Sequence, residues 1–336
     1  VYGPVHPGHA PQGETILNAV NPGIRVAAFM FFGASGMLFV LNGYGQERDQ
    51  TPALLAMLDD ENGPVMVVAH RACWKDGAPE NSLAAIERCL ELNVDMIEID
   101  VAITADGVPV LLHDETLDRT TDGSGPVKSL AWSQVRGLKL RAGAGGEAAL
   151  MTDQGIPTLQ DALELARGRI LINLDVKGEV FDPAFEIVEA VGVEDQILMK
   201  MNALPGTPAL DSARFLGKTL FMPVIRECSA DVDPRSCAPI LSAVIPEYGR
   251  YMPIAYEITF VNQPYFSEGV SAMDAAGGRI WVNALEPRHA AGLRDELALS
   301  DPDGNWGRIV ELGADIIQTD YPDALIEYLQ AKGLRE

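Results

Sequence analysis

The feature that most restricts the fold of this chain is an alternation that begins at residue 65. Short apolar runs of strand length are separated by amphipathic stretches of helical length: VMVVAH, MIEIDV, PVLLHD, ILINLDV, QILMKM, TLFMPVI, YEITF, RIWVNAL and DIIQT against NSLAAIERCLELN, TLQDALELARG, PAFEIVEAVG, FSEGVSAMDAAGG and DALIEYLQAKG. Apolar strands that lack polar alternation need cover on both faces, and intervening helices supply it, so the pattern predicts a parallel sheet wrapped in helices. Over residues 65–332 a closed (β/α)8 barrel of the TIM type fits better than an open doubly wound sheet. Nine runs compete for eight places, so one of them is expected to lie outside the barrel, and residues 203–260 are the hardest to assign. Residues 1–64 form an N-terminal extension to this single domain.

Charged residues interrupt these strands in a regular way. Side chains alternate faces along a strand, so Glu98 and Asp100 share one face while Ile97, Ile99 and Val101 share the other. In ILINLDVK the same parity groups Asn173, Asp175 and Lys177 opposite Ile172, Leu174 and Val176. His113 is expected to end a third strand and His70 a fourth. In a parallel barrel all of these would gather at the C-terminal mouth, where the active sites of such folds are assembled.

Three carboxylates brought together in a low dielectric repel one another and lose hydration, and a bound cation relieves both costs. Glu98, Asp100 and Asp175 are therefore expected to hold one divalent cation; their all-oxygen donor set suits Mg2+ or Ca2+ better than zinc. A structural ion-pair network among these acids, Lys177 and Arg71 is the alternative. His70 and His113 suit general acid–base work, one taking a proton from the attacking oxygen and the other giving one to the leaving oxygen. Arg71 and Lys177 supply the sparse cations that an anionic phosphate needs.

These residues sit inside a longer match. The run AHRACWKDGAPENSLAAIERCLELNVDMIEIDVAITADGVPVLLHDETLDRTTDGSG resembles the glycerophosphodiester phosphodiesterases, with their His-Arg-Gly, Pro-Glu-Asn-Thr, Glu-x-Asp-Val, Thr-x-Asp-Gly, His-Asp and Asp-Arg-Thr-Thr motifs. IPTLQDALELARGRILINLDVKG, RIWVNAL and ADIIQTDYPDAL continue the resemblance, which spans residues 65–177 and 279–325. It implies hydrolysis of a glycerophosphodiester to sn-glycerol 3-phosphate and an alcohol, with His70 and His113 as the acid–base pair and Glu98, Asp100 and Asp175 on the metal. The attacking oxygen would belong to water or to a neighbouring glycerol hydroxyl. The resemblance also implies that Glu80 and Asn81 support the site, Glu80 by touching metal or water directly or from behind, and that Trp281 is either an aromatic wall at the alcohol end or a core side chain.

Three positions depart from the family pattern. Ala72 replaces the usual Gly and suggests a backbone without positive φ; Ser82 replaces Thr, and either hydroxyl caps the helix that follows; Asp175 is one methylene shorter than the commoner Glu. A lysophospholipase D or sphingomyelinase D-like lipid phosphodiesterase uses the same parts with an apolar groove at the rim. A barrel that binds phosphodiesters without turnover is the alternative from another class.

Composition narrows the partners. Acidic residues outnumber basic ones 48 to 25 in this 336-residue chain, a formal charge of −23 without a basic cluster. Such a surface disfavours nucleic acid and leaves a small phosphodiester as the expected partner, with peripheral lipid contact open. Cys73, Cys89, Cys228 and Cys237 have no zinc-ligand spacing; Cys228 and Cys237 could close a small loop in an oxidising compartment, or all could be buried thiols. Arg25, the apolar run VAAFMFFGASGMLFVL at 26–41 and the small Gly43 and Gly45 before Gln46 follow the order of a secretory signal. Export to a periplasm or the exterior is expected, with a membrane anchor through 26–41 or a buried helix as alternatives.

Overall fold

The computed structural model describes residues 49–176, 180–230 and 232–335. The expected export segment lies outside the described residues, among which no helix is long and apolar enough to cross a membrane. The compact unit containing them is Glu47–Glu336.

Eight parallel strands close on themselves: β1 (Met66–Ala69), β2 (Met96–Ile103), β3 (Leu171–Val176), β4 (Ile197–Met201), β5 (Leu220–Arg226), β6 (Ala255–Thr259), β7 (Arg279–Asn283) and β8 (Ile316–Thr319). Closure comes from β1, which pairs with β8 on one side and with β2 on the other. The expected barrel is therefore present. Residues 203–260 supply two of its strands, β5 and β6.

The ninth candidate, PVLLHD, is the one outside. Pro109–Leu111 runs antiparallel to the end of β2, with Val101 opposite Leu111 and Ile103 opposite Pro109. A five-residue connection, TADGV, is too short for a parallel crossover, which needs a dozen residues or more, so the chain can only turn back. His113 consequently does not end a barrel strand. It stands on an excursion between β2 and β3 that carries a two-stranded sheet, Lys139–Arg141 with Met151–Gly155. Val110, Leu112, Leu117, Val127, Val135, Leu140 and Ile156 give this excursion a core of its own.

Strand parity divides the apolar side chains into two layers. Ile97, Ile99 and Val101, Ile172, Leu174 and Val176, and Phe221 and Ile225 face outward into the main core. The helices α2 (Leu83–Glu91), α3 (Leu159–Ala166), α4 (Phe181–Val191), α5 (Gln263–Ala276) and α6 (Pro322–Ala331) cover them. The starts of α2 and α3 are encoded locally: the Ser82 hydroxyl accepts from Ala85 N, and Thr158 and Asp161 form a reciprocal capping box. Inside the barrel, Met66, Val68, Met96, Leu171, Leu198, Met222, Ala255, Trp281 and Ile316 fill the N-terminal half, and α1 (Thr51–Asp59) closes that end by adding Leu58 to them. The floor is apolar, so polar groups have room only above it.

Candidate active site

One step up each strand from the apolar floor, the inward positions turn polar: Glu98 and Asp100 on β2, Asn173 and Asp175 on β3, Lys200 on β4, Glu257 on β6, Asn283 on β7 and Gln318 on β8. The β2–β3 register sets Glu98 beside Asn173 and Asp100 beside Asp175. Oxygens of Glu98, Asp100 and Asp175 all lie within 4.8 Å of one another. The sequence-predicted triad is thus brought together, with Glu98 and Asp100 buried and the Asp175 side chain 26% exposed toward the mouth.

Lys200 was missed by the sequence reading. Its ammonium stands 3.3 Å from Asp175 Oδ2, 3.5 Å from Glu98 Oε1 and 3.8 Å from Glu257 Oε2. Burial works to lower its pKa, but the charges of Glu257, Asp175, Glu98 and Asp100 outweigh burial and raise it. One ammonium does not neutralise the cluster: burial and the charge of Asp100 push Glu98 up to about 7, although Lys200 and His70 oppose the shift. A carboxyl driven to hold a proton beside two further carboxylates marks a site short of positive charge, and this hard-oxygen donor set fits Mg2+ or Ca2+. A signal for Lys200 and Glu257 existed in QILMKM and YEITF, each with a charged residue inside an otherwise apolar strand.

His70 follows β1. Its Nδ1 lies 2.8 Å from Asp320 Oδ1, just past the end of β8. Burial alone would raise the Asp320 pKa, yet its hydrogen bond to His70 and the charge of His70 hold it below the usual carboxylate range, so the carboxylate accepts and Nδ1–H donates. Nε2 is then the nitrogen left for chemistry. The His70 pKa is depressed by burial but raised overall by the Asp320 hydrogen bond and the charges of Glu98 and Asp320. His113 repeats the device on the excursion: its Nδ1 is 2.7 Å from Asp114 Oδ1, and hydrogen bonds from Arg119 keep Asp114 strongly acidic. Asp320, Asp114 and Arg119 stood within the recognised motifs, but orienting roles are not legible without geometry.

Guanidinium groups tie the two histidine loops together. Arg119 donates to Asp114 and, at 2.7 and 3.0 Å, to both oxygens of Glu80; Arg71 Nη1 also reaches both Glu80 oxygens at 3.1 Å. Glu80 therefore acts from behind, its lone pairs occupied by arginines. Asn81 donates to Asp100 Oδ2 at 2.9 Å and accepts from Asp100 N at 3.0 Å, which fixes that carboxylate's rotamer. Arg71 Nε stands 3.5 Å from Asp100 Oδ2, and no described residue engages its Nη2. Lys177 lies outside the described residues.

Two expectations are corrected here. Trp281 is not a wall of the alcohol pocket: it sits level with Ile316 in the apolar floor, fully buried, its indole N–H donating up to Asn283 Oδ1 at 2.7 Å. Ala72 does adopt positive φ, +61°, as do Arg71 at +54° and Asn81 at +54°. The loop keeps the left-handed geometry that suits Gly, at a cost of about 1–2 kcal/mol for a residue with a Cβ. Ala72 N–H donates to Glu98 O, and a disulfide from Cys73 to Cys89 pins the same loop to α2. The Cys228–Cys237 pair closes its loop as one of the two sequence alternatives had it; neither pair is a free thiol.

Comparison with known proteins agrees with the geometry. Residues 70–219 match the glycerophosphoryl diester phosphodiesterase family, and residues 221–329 match a domain family of unknown function. Glycerophosphodiester phosphodiesterase 1 of Mus musculus is 46% identical over 116 residues, 34% of this chain and 34% of that protein. A glycerophosphodiester phosphodiesterase of Caldanaerobacter subterraneus is 41% identical over 123 residues, 36% of this chain and 49% of its own length. The matched stretch thus spans between a third and a half of these relatives. A glycerophosphoryl diester phosphodiesterase of Parabacteroides distasonis shares the fold at a TM-score of 0.67 and 21% identity, covering 84% of this chain and 92% of that one. A phosphodiesterase of Oleispira antarctica, solved with the product sn-glycerol-3-phosphate, superposes at 0.56 with 23% identity, covering 80% and 97%. With its closed barrel, its ordered motifs and this matching sequence, the chain is similar to the glycerophosphoryl diester phosphodiesterase family over residues 70–219 and shares the fold of that family's solved structures.

Proposed function

We propose that the protein hydrolyses glycerophosphodiesters to sn-glycerol 3-phosphate and a free alcohol. The observation that carries this reading is the carboxylate triad with oxygens within 4.8 Å in the barrel mouth, with His70 at the end of β1 and His113 on an excursion tied to the same loop through Arg119 and Glu80, each Nδ1 held by an aspartate. The product seen in the Oleispira antarctica relative supports the substrate class. Mg2+ or Ca2+ held by Glu98, Asp100 and Asp175 would supply Lewis-acid stabilisation of charge on the phosphate oxygens. Arg71 Nη2 and Lys177 are the proposed cationic partners of the phosphate. His70 and His113 divide the proton transfers between the attacking and leaving oxygens, and in each ring the carboxylate on Nδ1 leaves Nε2 for that work.

Release of glycerol 3-phosphate from choline, ethanolamine, glycerol and inositol diesters and from lysophosphatidylcholine, with and without EDTA, tests the activity and its metal requirement together. Turnover should vanish in EDTA and return with Mg2+ or Ca2+. His70→Ala and His113→Ala should each lower kcat by a factor on the order of 10² or more. Wild-type turnover in either variant removes that histidine from the mechanism.

Export is proposed as well. Two disulfides among the described residues favour an oxidising compartment, in line with the signal-like order of residues 25–46. The secreted protein should begin near Gln46 on N-terminal sequencing; a cytoplasmic form retaining residues 26–41 would refute it.

A further inference from the structure

Above the tier of Glu257 and Lys200 the backbone pairing continues past the barrel. Ala238 N–H donates to Arg226 O, Glu227 N–H to Thr259 O, Phe260 N–H to His289 O and Ala291 N–H to Phe260 O. Arg226 is thereby set beside Thr259, and Phe260 bridges to Ala290. Parity then fixes where the side chains point. On β5, Phe221 and Ile225 face the outer core and Met222 the interior, so Arg226 lies on the interior face. On β6, Ala255 is interior and Ile258 and Phe260 are exterior, so Thr259 is interior. Ala290 is exterior with Phe260, and its neighbour His289 takes the interior side.

Three polar side chains thus form one row across the β5–β7 side of the mouth, opposite the strands that carry His70 and the metal ligands. Arg226 is exposed, and among the described residues no acid lies within ion-pairing distance of it. That is unusual in a chain of net charge −23. Its neighbour Glu227 is turned away and accepts from Val261 N and Asn262 N. The position is braced, because the Cys228–Cys237 disulfide closes the loop that Ala238 returns to Arg226. His289 has a buried Nδ1 without a partner, and burial holds its ring neutral, with a pKa of about 4, although Glu286 opposes the shift. The charges of Arg226 and His70 both oppose protonation of this ring.

We propose that Arg226, with Thr259 and His289, forms a subsite for an anionic group carried by the departing alcohol. The triad and the Arg71 cluster already answer the scissile phosphate on β1–β3, so a second guanidinium across the mouth, with no acid partner among the described residues, has a separate anion to meet. A guanidinium pairs with carboxylate or phosphate, and a neutral imidazole with a hydroxyl beside it adds hydrogen bonds without adding charge. This inference rests on the hydrolase reading above.

The test compares kcat/KM for four diesters on the full-length, metal-loaded protein: glycerophosphoinositol 4-phosphate, glycerophosphoserine, glycerophosphoglycerol, whose departing alcohol is uncharged, and glycerophosphocholine. The wild type should favour at least one of the two alcohols that carry an anionic group, inositol phosphate or zwitterionic serine, over the uncharged one by about tenfold, and the arm that gains tells phosphate from carboxylate. Arg226→Gln should erase that ratio, and Arg226→Glu should invert it in favour of choline. An anionic-to-neutral ratio that is the same in wild type and both variants overturns the subsite while leaving the hydrolase standing. Failure of all four diesters to release glycerol 3-phosphate overturns the hydrolase, and the subsite with it.

Discussion

Glu98 shows how one residue would link the proposed metal, proton and stability. Its pKa moves from an ordinary 4.5 up to about 7 because burial and Asp100 disfavour the charged form. A group with a raised folded pKa contributes stability that is full below its unfolded value and lost as pH rises through the folded one. The metal-free protein should therefore lose thermal stability between about pH 4.5 and 7, and saturating Mg2+ or Ca2+ should restore it. Protons and metal compete for this carboxylate, so the half-saturating metal concentration, read from thermal midpoints, should rise as pH falls below 7. A midpoint indifferent to both pH and metal would remove Glu98 from the ligand set. Asp175→Asn should likewise raise the metal concentration needed for half-stabilisation; an unchanged titration would assign Asp175 to a supporting role. At Ala72, the left-handed backbone is held by a residue with a Cβ, and Ala72→Gly should stabilise the fold by up to about 1 kcal/mol in a urea titration.

At the scale of elements, the loop between β1 and α2 carries the heaviest constraint. Arg71, Ala72, Asp76 and Asn81 all adopt positive φ within it, and Cys73–Cys89 ties it to α2 three residues beyond His70. The other disulfide lies at the far side of the mouth. By loop-closure entropy, cross-links of separation 16 and 9 each contribute about 3 kcal/mol. Replacing either pair by serine should lower stability comparably, but only Cys73→Ser with Cys89→Ser should also lower kcat, because of the two loops only that one carries His70, the proposed proton-transfer group. Equal kcat in both double variants, at a temperature where both are folded, would show that the loop holds its shape unaided. The excursion after β2 delivers His113 from outside the barrel, which explains why Arg119 and Glu80 must bridge it back to the β1 loop.

For the whole molecule, the net charge would set how the proposed anionic diester arrives. A field of −23 repels it, while the cations of the site attract it only at short range. Raising ionic strength from about 0.01 to 0.15 M shortens the Debye length from about 30 to 8 Å and screens the distant repulsion first. At saturating metal, kcat/KM should therefore rise by a small factor over that range. A steep fall would mean that the mouth itself, and not the surface, governs encounter. Barrel closure serves the same site: α1 seals the opposite end, so the polar tier opens in one direction only.

The barrel and the clustering of the carboxylate triad were legible in the sequence because strand parity is a local rule: a period of two fixes which face Glu98, Asp100 and Asp175 share, and alternation with helices fixes that they gather at one end. Lys200 and Glu257 obeyed the same rule and were overlooked only because a single charge in an apolar run reads as noise until its neighbours across the sheet are known. Other features were settled by tertiary structure alone. The reversal at Pro109–Leu111, the buried level of Trp281, the aspartates behind the two imidazoles and the pairing of Cys73 with Cys89 all depend on which distant segments meet. Local sequence sets the direction of a side chain, but its height in the barrel and its partner across it are set by register and closure, which belong to the chain as a whole.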